Sequence, residues 1–452
     1  MTTDLLDEIA QRTEDRTGRG IALAIGSLVG DGALRPGDQL PTVRALAAHL
    51  GVSPNTVAEA WRLLQTHGAI STDRRRGTQV RARQVRLDGR YWQVPVAPGT
   101  IELDLSTGTP DEALLPPLGP VLHRLHADVT FSSYVDPPIV AALETEIRHR
   151  WPYEPEAITI VDGAQDALDR LVGELVGIGD TVVVEDPTFP PLIDMLELAG
   201  ARVIGVPVDP DGIEVDGLRE AMSTDPVAVW LQPRAHNPTG TIMTGDRRDA
   251  IARLIGGTRT LVVEDDHSGD ASGAAIHSVG VGLPDQVVHI HSFSKSHGPD
   301  LRIAAIGGPT SVLDGVVRRR TLGPAWTSRL VQQILLVMLQ DPEIEQTVAA
   351  AADAYARRRA ALEDGLAARG VAVGRGAGLN LWVPVEDEQR AVVALAAHGV
   401  GVAPGAPFRV ADEPDHHIRV SLGTLPDDRV DEVASTIAAV ATGAHLDWAT
   451  RD

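Results

Sequence analysis

One lysine, Lys295, stands in the stretch His291-Ser292-Phe293-Ser294-Lys295-Ser296-His297-Gly298-Pro299-Asp300-Leu301-Arg302, and it is the only lysine among 40 Lys plus Arg residues. A chain that uses arginine for every other cation has no amine elsewhere on its side chains. Arginine stays protonated and cannot act as an amine nucleophile, whereas a buried lysine can lose its proton and condense with a carbonyl. The lone lysine therefore suggests Schiff-base chemistry, against the plainer reading of one survivor of compositional drift. Other groups able to take part recur downstream of apolar runs. They are Asp162-Gly163-Ala164-Gln165, Asp186-Pro187-Thr188-Phe189, His236-Asn237-Pro238-Thr239-Gly240 and Glu264-Asp265-Asp266-His267. Each alone is an ordinary turn or a solvated strand end; their order along the chain is what carries weight.

The elements that must position them follow from the pattern. From Ile101 onward strands alternate with helices, which predicts a mostly parallel sheet with helices on both faces. Strands are expected at Thr181–Glu185, Val227–Leu231, Thr260–Asp265, Val287–His291 and Ile303–Gly307. An amphipathic helix is expected over Gln165–Val176, with Leu168, Leu171, Val172 and Leu175 on one face. Ligands in such folds sit beyond the carboxyl ends of the strands, where the groups above fall. Gly163, Ala164 and Gln165 open a helix whose unpaired N–H groups suit a phosphate.

The chain has 452 residues and no cysteine, which excludes disulfides, thiolate metal sites and a cysteine nucleophile; no metal site is expected. No apolar run reaches the ~18 residues of a membrane helix and no signal-peptide pattern opens the chain, so a cytoplasmic protein is expected. The net charge of −22 is unevenly spread. Residues 1–90 hold 13 arginines against 10 acidic residues, and the remainder holds 27 cations against 52 acids. That split suggests a small anion-binding module on an acidic body.

The first ninety residues supply such a module. An apolar-periodic helix over Ile21–Leu28 precedes a Pro/Gly turn from Leu34 to Pro41. Thr42 can cap a helix through Leu50 with Val43, Leu46, Ala47 and Leu50 on one side. Gly51 ends it, and Ser53-Pro54 starts another helix to about His67, burying Val57, Ala60, Trp61 and Leu64. That is a helix-turn-helix. Ser71 to Val80 reads as two short strands about the basic tip Arg74-Arg75-Arg76-Gly77, a wing. The segment resembles the GntR-type winged helix over nearly its whole length, which implies double-stranded operator DNA as partner. By that resemblance Arg44, Ser53, Asn55, Thr56, Arg74, Arg75, Arg76, Gly77 and Thr78 face DNA. The arginines would hold phosphates, and Asn55 or Thr56 would reach base edges. Pro54 stands where relatives often carry arginine.

The later motifs together resemble fold type I pyridoxal-phosphate (PLP) enzymes of the aminotransferase class I/II group. The resemblance implies PLP joined to Lys295 as an internal aldimine. Asp265 would hold the ring nitrogen, Asn237 and His267 the ring hydroxyl, and Phe189 the ring face. Gly163, Ala164, Gln165, Ser292, Ser294 and Arg302 would hold the phosphate. Arg419 matches a carboxylate-gripping arginine, and Tyr134 a tyrosine that reaches the neighbouring subunit's phosphate. His267 replaces the usual tyrosine, and Pro191 lies where some relatives place a second carboxylate-binding arginine.

The expected architecture is multidomain, an N-terminal α+β winged helix-turn-helix and then an α/β fold type I PLP-dependent aminotransferase-like domain. The boundaries are 1–80 for the DNA-binding domain, 81–100 for a linker, and 101–452 for the large and small parts of the effector domain. This arrangement resembles the MocR-type regulators. It implies a head-to-tail homodimer in which a small amino compound, captured at the Lys295 site by external aldimine formation, controls DNA binding. Two alternatives stand beside it: a working aminotransferase with an accessory DNA-binding domain, and a repressor whose large domain only dimerises.

Overall fold

The computed structural model describes residues 2–13, 15–30, 33–34, 37–66, 70–73, 77–80, 89–90, 101–125, 133–411 and 416–443. Two compact units emerge. One comprises residues 1–89 with the segments 176–180 and 194–202, and the other comprises the rest.

The N-terminal unit has helices α1 (Thr2–Arg12), α2 (Gly18–Gly30), α3 (Val43–Leu50) and α4 (Pro54–Thr66), then strands β1 (Ile70–Asp73) and β2 (Gly77–Val80). The Thr42 hydroxyl accepts from the Ala45 N–H and caps α3, a contact worth about 1 kcal/mol. Gly51, at φ +68°, ends α3 in the left-handed region that disfavours a side chain. The Ser53 hydroxyl accepts from the Thr56 N–H at 3.2 Å and so caps α4. Leu46, Ala47 and Leu50 of α3 and Val57, Ala60, Trp61 and Leu64 of α4 are buried in one apolar core with Ile9, Ile21 and Leu28. β1 and β2 form an antiparallel hairpin, Ile70 opposite Val80. The Leu34–Pro41 turn is tied to this hairpin, because the Leu40 N–H donates to the Thr78 carbonyl and the Val80 N–H to the Asp38 carbonyl. α1 was not among the expected elements; its inward face is carried by Ile9 and the half-buried Leu5 and Leu6. The arginines Arg74, Arg75 and Arg76 lie outside the described residues, as do nearly all of the expected linker 81–100.

The second unit is built on a sheet that follows a short strand β3 (Leu103–Asp104). Its strands are β4 (Ala157–Val161), β5 (Thr181–Asp186), β6 (Arg202–Asp209), β7 (Gly212–Ile213), β8 (Ala228–Leu231), β9 (Leu261–Asp266), β10 (Val287–Ser292) and β11 (Ala304–Gly308). Their order across the sheet is β4-β11-β10-β9-β8-β5-β6-β7. β5, β8, β9 and β10 run parallel, as the alternation of strand and helix predicts. β11 does not: it lies antiparallel between β10 and β4. That reversal makes its amino end, rather than its carboxyl end, share an edge with the carboxyl ends of its neighbours, and Arg302 therefore reaches the same edge as Ser292. The helix Ala164–Leu175 packs across β10 and β11 and buries Leu168, Leu171 and Val172, while Leu175, expected on the same face, is half-buried.

The chain then crosses along the long helix Pro342–Ala367 to a smaller part. There β12 (Asn380–Pro384), β14 (Ala403–Pro404) and β15 (His417–Ser421) form a sheet ordered β12-β15-β14, and β13 (Val400–Gly401) pairs with β3. Leu381, Val383, Ile418 and Val420 of this sheet share a core with Leu362, Leu366, Val433 and Ile437.

Candidate functional site at the carboxyl edge of the sheet

Strand register decides which side chains meet. On β9 and β10, Asp265 lies opposite Ile290, while Glu264 and Asp266 lie opposite His289 and His291. Because successive side chains alternate faces, Asp265 projects to one side of the sheet and its two acidic neighbours to the other.

On the Asp265 side, the carboxylate is buried and its Oδ1 has no hydrogen-bond partner. Burial raises its pKa to about 7, with the Lys295 charge acting in the opposite direction. Burial likewise lowers the Lys295 ammonium to about 8, opposed by Asp265 and reinforced by Arg419. The amine is thus brought close to the pH range in which an uncharged, nucleophilic form exists.

Lys295 Nζ donates to His267 Nδ1 at 2.9 Å. The other ring nitrogen, Nε2, lies 3.0 Å from the Ala235 carbonyl. A carbonyl can only accept, so Nε2 carries the proton and Nδ1 presents its lone pair to the lysine. Burial, followed by the Lys295 charge, holds the His267 pKa well below that of a free histidine, which keeps the ring neutral in this role.

Asn237 is placed by a residue that sequence reasoning passed over. The Gln232 side chain accepts from the Asn237 N–H at 2.8 Å and donates to its carbonyl at 3.4 Å, and the Gln232 N–H donates to buried Glu185 at 2.7 Å. The signal for Gln232 was present, an amide immediately after the apolar run Ala228–Leu231, but nothing local distinguishes it from a solvated strand end. Arg419 Nη1 donates to Asn237 Oδ1 at 3.4 Å, and its guanidinium lies 5.1 Å from the Phe408 ring centroid. Arg419 is 3 % exposed. Phe189 is half-buried in the turn after β5.

A second cluster gathers where the helix Ala164–Leu175 begins. Arg302 Nη2 donates to the Asp162 carbonyl at 3.2 Å. Gly163 has φ +96°, and a Cβ there would lie 2.9 Å from Arg302 Nη2. Only glycine leaves room for the guanidinium against this turn. Ser292 is buried and its hydroxyl accepts from the Ser294 N–H at 3.4 Å. Asp162 is anchored from behind by Thr327 at 2.7 Å and by the buried Arg320 at 3.0 Å. Helix N–H groups at Ala164 and Gln165, two serines and an exposed arginine form a cradle suited to a phosphate.

The residues fit PLP on two observations of this chain. The buried Asp265 oxygen lacks a donor, which a protonated ring nitrogen would supply. Gly163 leaves the turn before the helix Ala164–Leu175 clear for the Arg302 guanidinium. Lys295, Asp265, His267, Asn237 and Arg419 are linked by the hydrogen bonds and charges above, and Gly163, Ala164, Gln165, Ser292, Ser294 and Arg302 share the same sheet edge. Tyr134 stands apart, 89 % exposed and 5.9 Å from the Trp326 ring.

In the N-terminal unit Arg44, Ser53, Asn55 and Gly77 are exposed and Thr56 and Thr78 half-buried. The Ser53 and Thr56 hydroxyls share one hydrogen bond at 2.9 Å, which leaves one of the two O–H donors over, and Asn55 is exposed at the start of α4.

Comparison with known proteins agrees with both units. Residues 100–437 match the family model "Aminotransferase class I and II", and residues 17–80 match "Bacterial regulatory proteins, gntR family". The vitamin B6 salvage pathway transcriptional repressor PtsJ of Salmonella typhimurium is 34 % identical over 90 % of this chain and 94 % of its own length. The pyridoxine biosynthesis transcriptional regulator PdxR of Corynebacterium glutamicum is 25 % identical over 76 % of this chain and 77 % of its own. The kynurenine aminotransferase of Pyrococcus horikoshii, solved in complex with PMP, superposes with a TM-score of 0.70 at 21 % identity, covering 77 % of this chain and 92 % of that one. The chain belongs to the aminotransferase class I and II family and carries a gntR-family helix-turn-helix region ahead of that domain, the MocR-type combination.

Proposed function

We propose that this protein is a PLP-dependent, DNA-binding transcriptional regulator that reads a small amino compound at the Lys295 site. The observation that carries the reading is one chain holding both a winged helix and a half-buried lysine, its only amine side chain, beside an unpartnered Asp265 oxygen. PLP, when bound, supplies an electrophilic carbon for amines and an electron-withdrawing ring. Around it Asp265 would keep the ring nitrogen protonated, Asn237 would orient the ring hydroxyl and Phe189 would cover the ring face. Gly163, Ala164, Gln165, Ser292, Ser294 and Arg302 would hold the phosphate. His267 accepts a hydrogen bond from Lys295 through Nδ1 and so aims the amine. Arg419 would grip a carboxylate on the effector. Residues 1–80 would contact operator DNA through Arg44, Ser53, Asn55, Thr56, Arg74, Arg75, Arg76, Gly77 and Thr78. Residues 81–100 would join them to the effector domain, 101–452. The effector must bind one conformational state better than another for this to regulate anything.

A head-to-tail homodimer suits the reading. Tyr134 and Val135, each 89 % exposed, are apolar or aromatic surface that a second subunit would cover, and Tyr134 would then reach that subunit's phosphate cradle. Among the described residues no helix is long and apolar enough to cross a membrane, and a cytoplasmic regulator is proposed.

Absorbance with PLP provides the test. The wild type should develop a band near the visible edge and Lys295→Ala should not. Titration with a panel of amines should shift that band, and the amine that shifts it should also change operator affinity in the wild type alone. A wild type that stays colourless with PLP sinks the cofactor reading. A second reading, a working aminotransferase, is favoured by the completeness of the site. Steady amino transfer to a 2-oxo acid at ~1 s⁻¹ or more would establish it.

A further inference from the structure

The face of the sheet opposite Asp265 carries chemistry that the Lys295 site does not use. There Glu264 and Asp266 of β9 stand beside His289 and His291 of β10 in a two-by-two array. His289 Nδ1 donates to Glu264 at 2.8 Å, and His291 Nδ1 donates to Asp266 at 3.0 Å. His289 is fully buried, and its outer nitrogen, Nε2, has no hydrogen-bond partner. It lines a cavity of about 530 Å³ whose walls include Trp151, Phe293, Met338 and Asp270. That volume suits a small organic molecule.

Donors and acceptors around the cavity are out of balance. Arg234 is spent: Nε and Nη2 donate to Asp266 at 2.8 and 2.7 Å, and Nη1 donates to the Ala274 carbonyl at 2.8 Å. Arg150 donates through Nε to Glu146 at 2.8 Å and through Nη2 to the Leu339 carbonyl at 2.8 Å, and its Nη1 pairs with Glu345 at 3.5 Å. The Asp270 carboxylate approaches Arg234 only to 3.7 Å and His291 only to 4.0 Å, beyond hydrogen-bond length. Asp353 adds negative charge to the lining, while the charge of Glu345 is met by Arg150. With Nδ1 as the donor to Glu264, a neutral His289 ring holds its lone pair at Nε2. Among its polar groups the Trp151 indole N–H is a buried donor without a partner, and the rest of the polar side offers acceptors and negative charge, with aromatic and thioether surface at the other side.

We propose that this cavity is a second ligand site, for a small organic cation that carries N–H donors on an apolar body. The donors would meet His289 Nε2 and Asp270, and the body would lie against Trp151 and Phe293, whose ring faces favour a cation. A metal ion is the less suitable occupant even though donor atoms of Asp266, His289 and His291 lie within 4.8 Å of one another. The Arg234 fork already neutralises Asp266, and a divalent ion there would sit against a guanidinium. The site is independent of Lys295 chemistry, since its ligand forms no bond to the chain.

Benzamidine serves as the probe, because it is a planar aromatic cation with N–H donors and a poor imine former. Calorimetric titration of the full-length, PLP-loaded protein should show saturable binding of one benzamidine per chain. Benzyl alcohol and benzoate should bind at least tenfold more weakly. Asp270→Asn should weaken benzamidine about tenfold by removing the paired charge, and His289→Gln should do the same. Asp270 is partly exposed, so its variant tests the site even if the buried His289→Gln fails to fold. Undiminished binding in Asp270→Asn, equal binding of benzoate, or no binding to the wild type would overturn the proposal. So would stoichiometric Zn²⁺ that benzamidine cannot displace.

Discussion

At the scale of single residues, the site is a set of charges held where water cannot relax them. Asp265 shows the cost. Burial raises its folded pKa to about 7, from an ordinary carboxylate value of 3.8. A raised folded pKa means that below about pH 4 the group is protonated in both states and costs nothing. As pH climbs toward 7 the folded chain must give up a proton it holds more tightly, so stability falls and stays reduced above 7. Asp265→Asn removes that penalty. In the absence of PLP, the melting temperatures of Asp265→Asn and wild type should diverge in favour of the variant as pH rises from about 5 to about 8. A difference that does not vary with pH would show that Asp265 is not carrying the charge. The lysine was legible in the sequence because it had no competitors, and Asp265 and Asn237 because each falls in a polar motif just downstream of an apolar run. Arg234 was not: its partner Asp266 lies across a strand boundary, and only register brings the fork and carboxylate together. Buried pairs of this kind add little net stability but cost about 3–5 kcal/mol when one partner is removed.

At the scale of elements, the phosphate cradle depends on one turn and one reversed strand. Gly163→Ala places a Cβ 2.9 Å from Arg302 Nη2 at a backbone angle of +96°. The arginine can swing away, so the chain should fold, but PLP affinity measured by equilibrium dialysis should drop about tenfold with Arg302 displaced. The direction of β11 was not legible, because an apolar run reads the same either way. Only pairing between β10 and β4 sets it. In the N-terminal unit the helix-turn-helix was readable from Thr42, Gly51 and Ser53, residues whose capping roles are local. α1 was not, since Ile9 becomes meaningful only when α2 and α3 supply the rest of its core. Arg44 projects from α3 and is exposed. Arg44→Ala should weaken operator binding at low salt and reduce the slope of log affinity against log salt by about one, as expected for a lost phosphate contact. An unchanged slope would remove Arg44 from the interface.

At the scale of the whole molecule, the first ninety residues that carry the excess of arginine also build a core of their own: among the described residues the apolar cluster from Ile9 to Val80 draws on no later segment. Tyr134, Val135 and Leu322, the last 90 % exposed, are apolar or aromatic surface that the proposed homodimer would cover. Sedimentation should therefore give a dimer. Val135→Glu together with Leu322→Glu should shift it toward monomer and weaken PLP retention, whereas a monomeric wild type would contradict the proposed assembly.

The alternation along β9 has one more consequence. Glu264, Asp265 and Asp266 are three acids in succession, so a slip of one residue would change hardly any charge at the Lys295 site. It would still break the frame, as a shifted codon does in a message. Glu264 with His289 and Asp266 with Arg234 recognise only one phase of the strand, and the array on the far face thus serves as a proofreader of which acid is presented to the lysine.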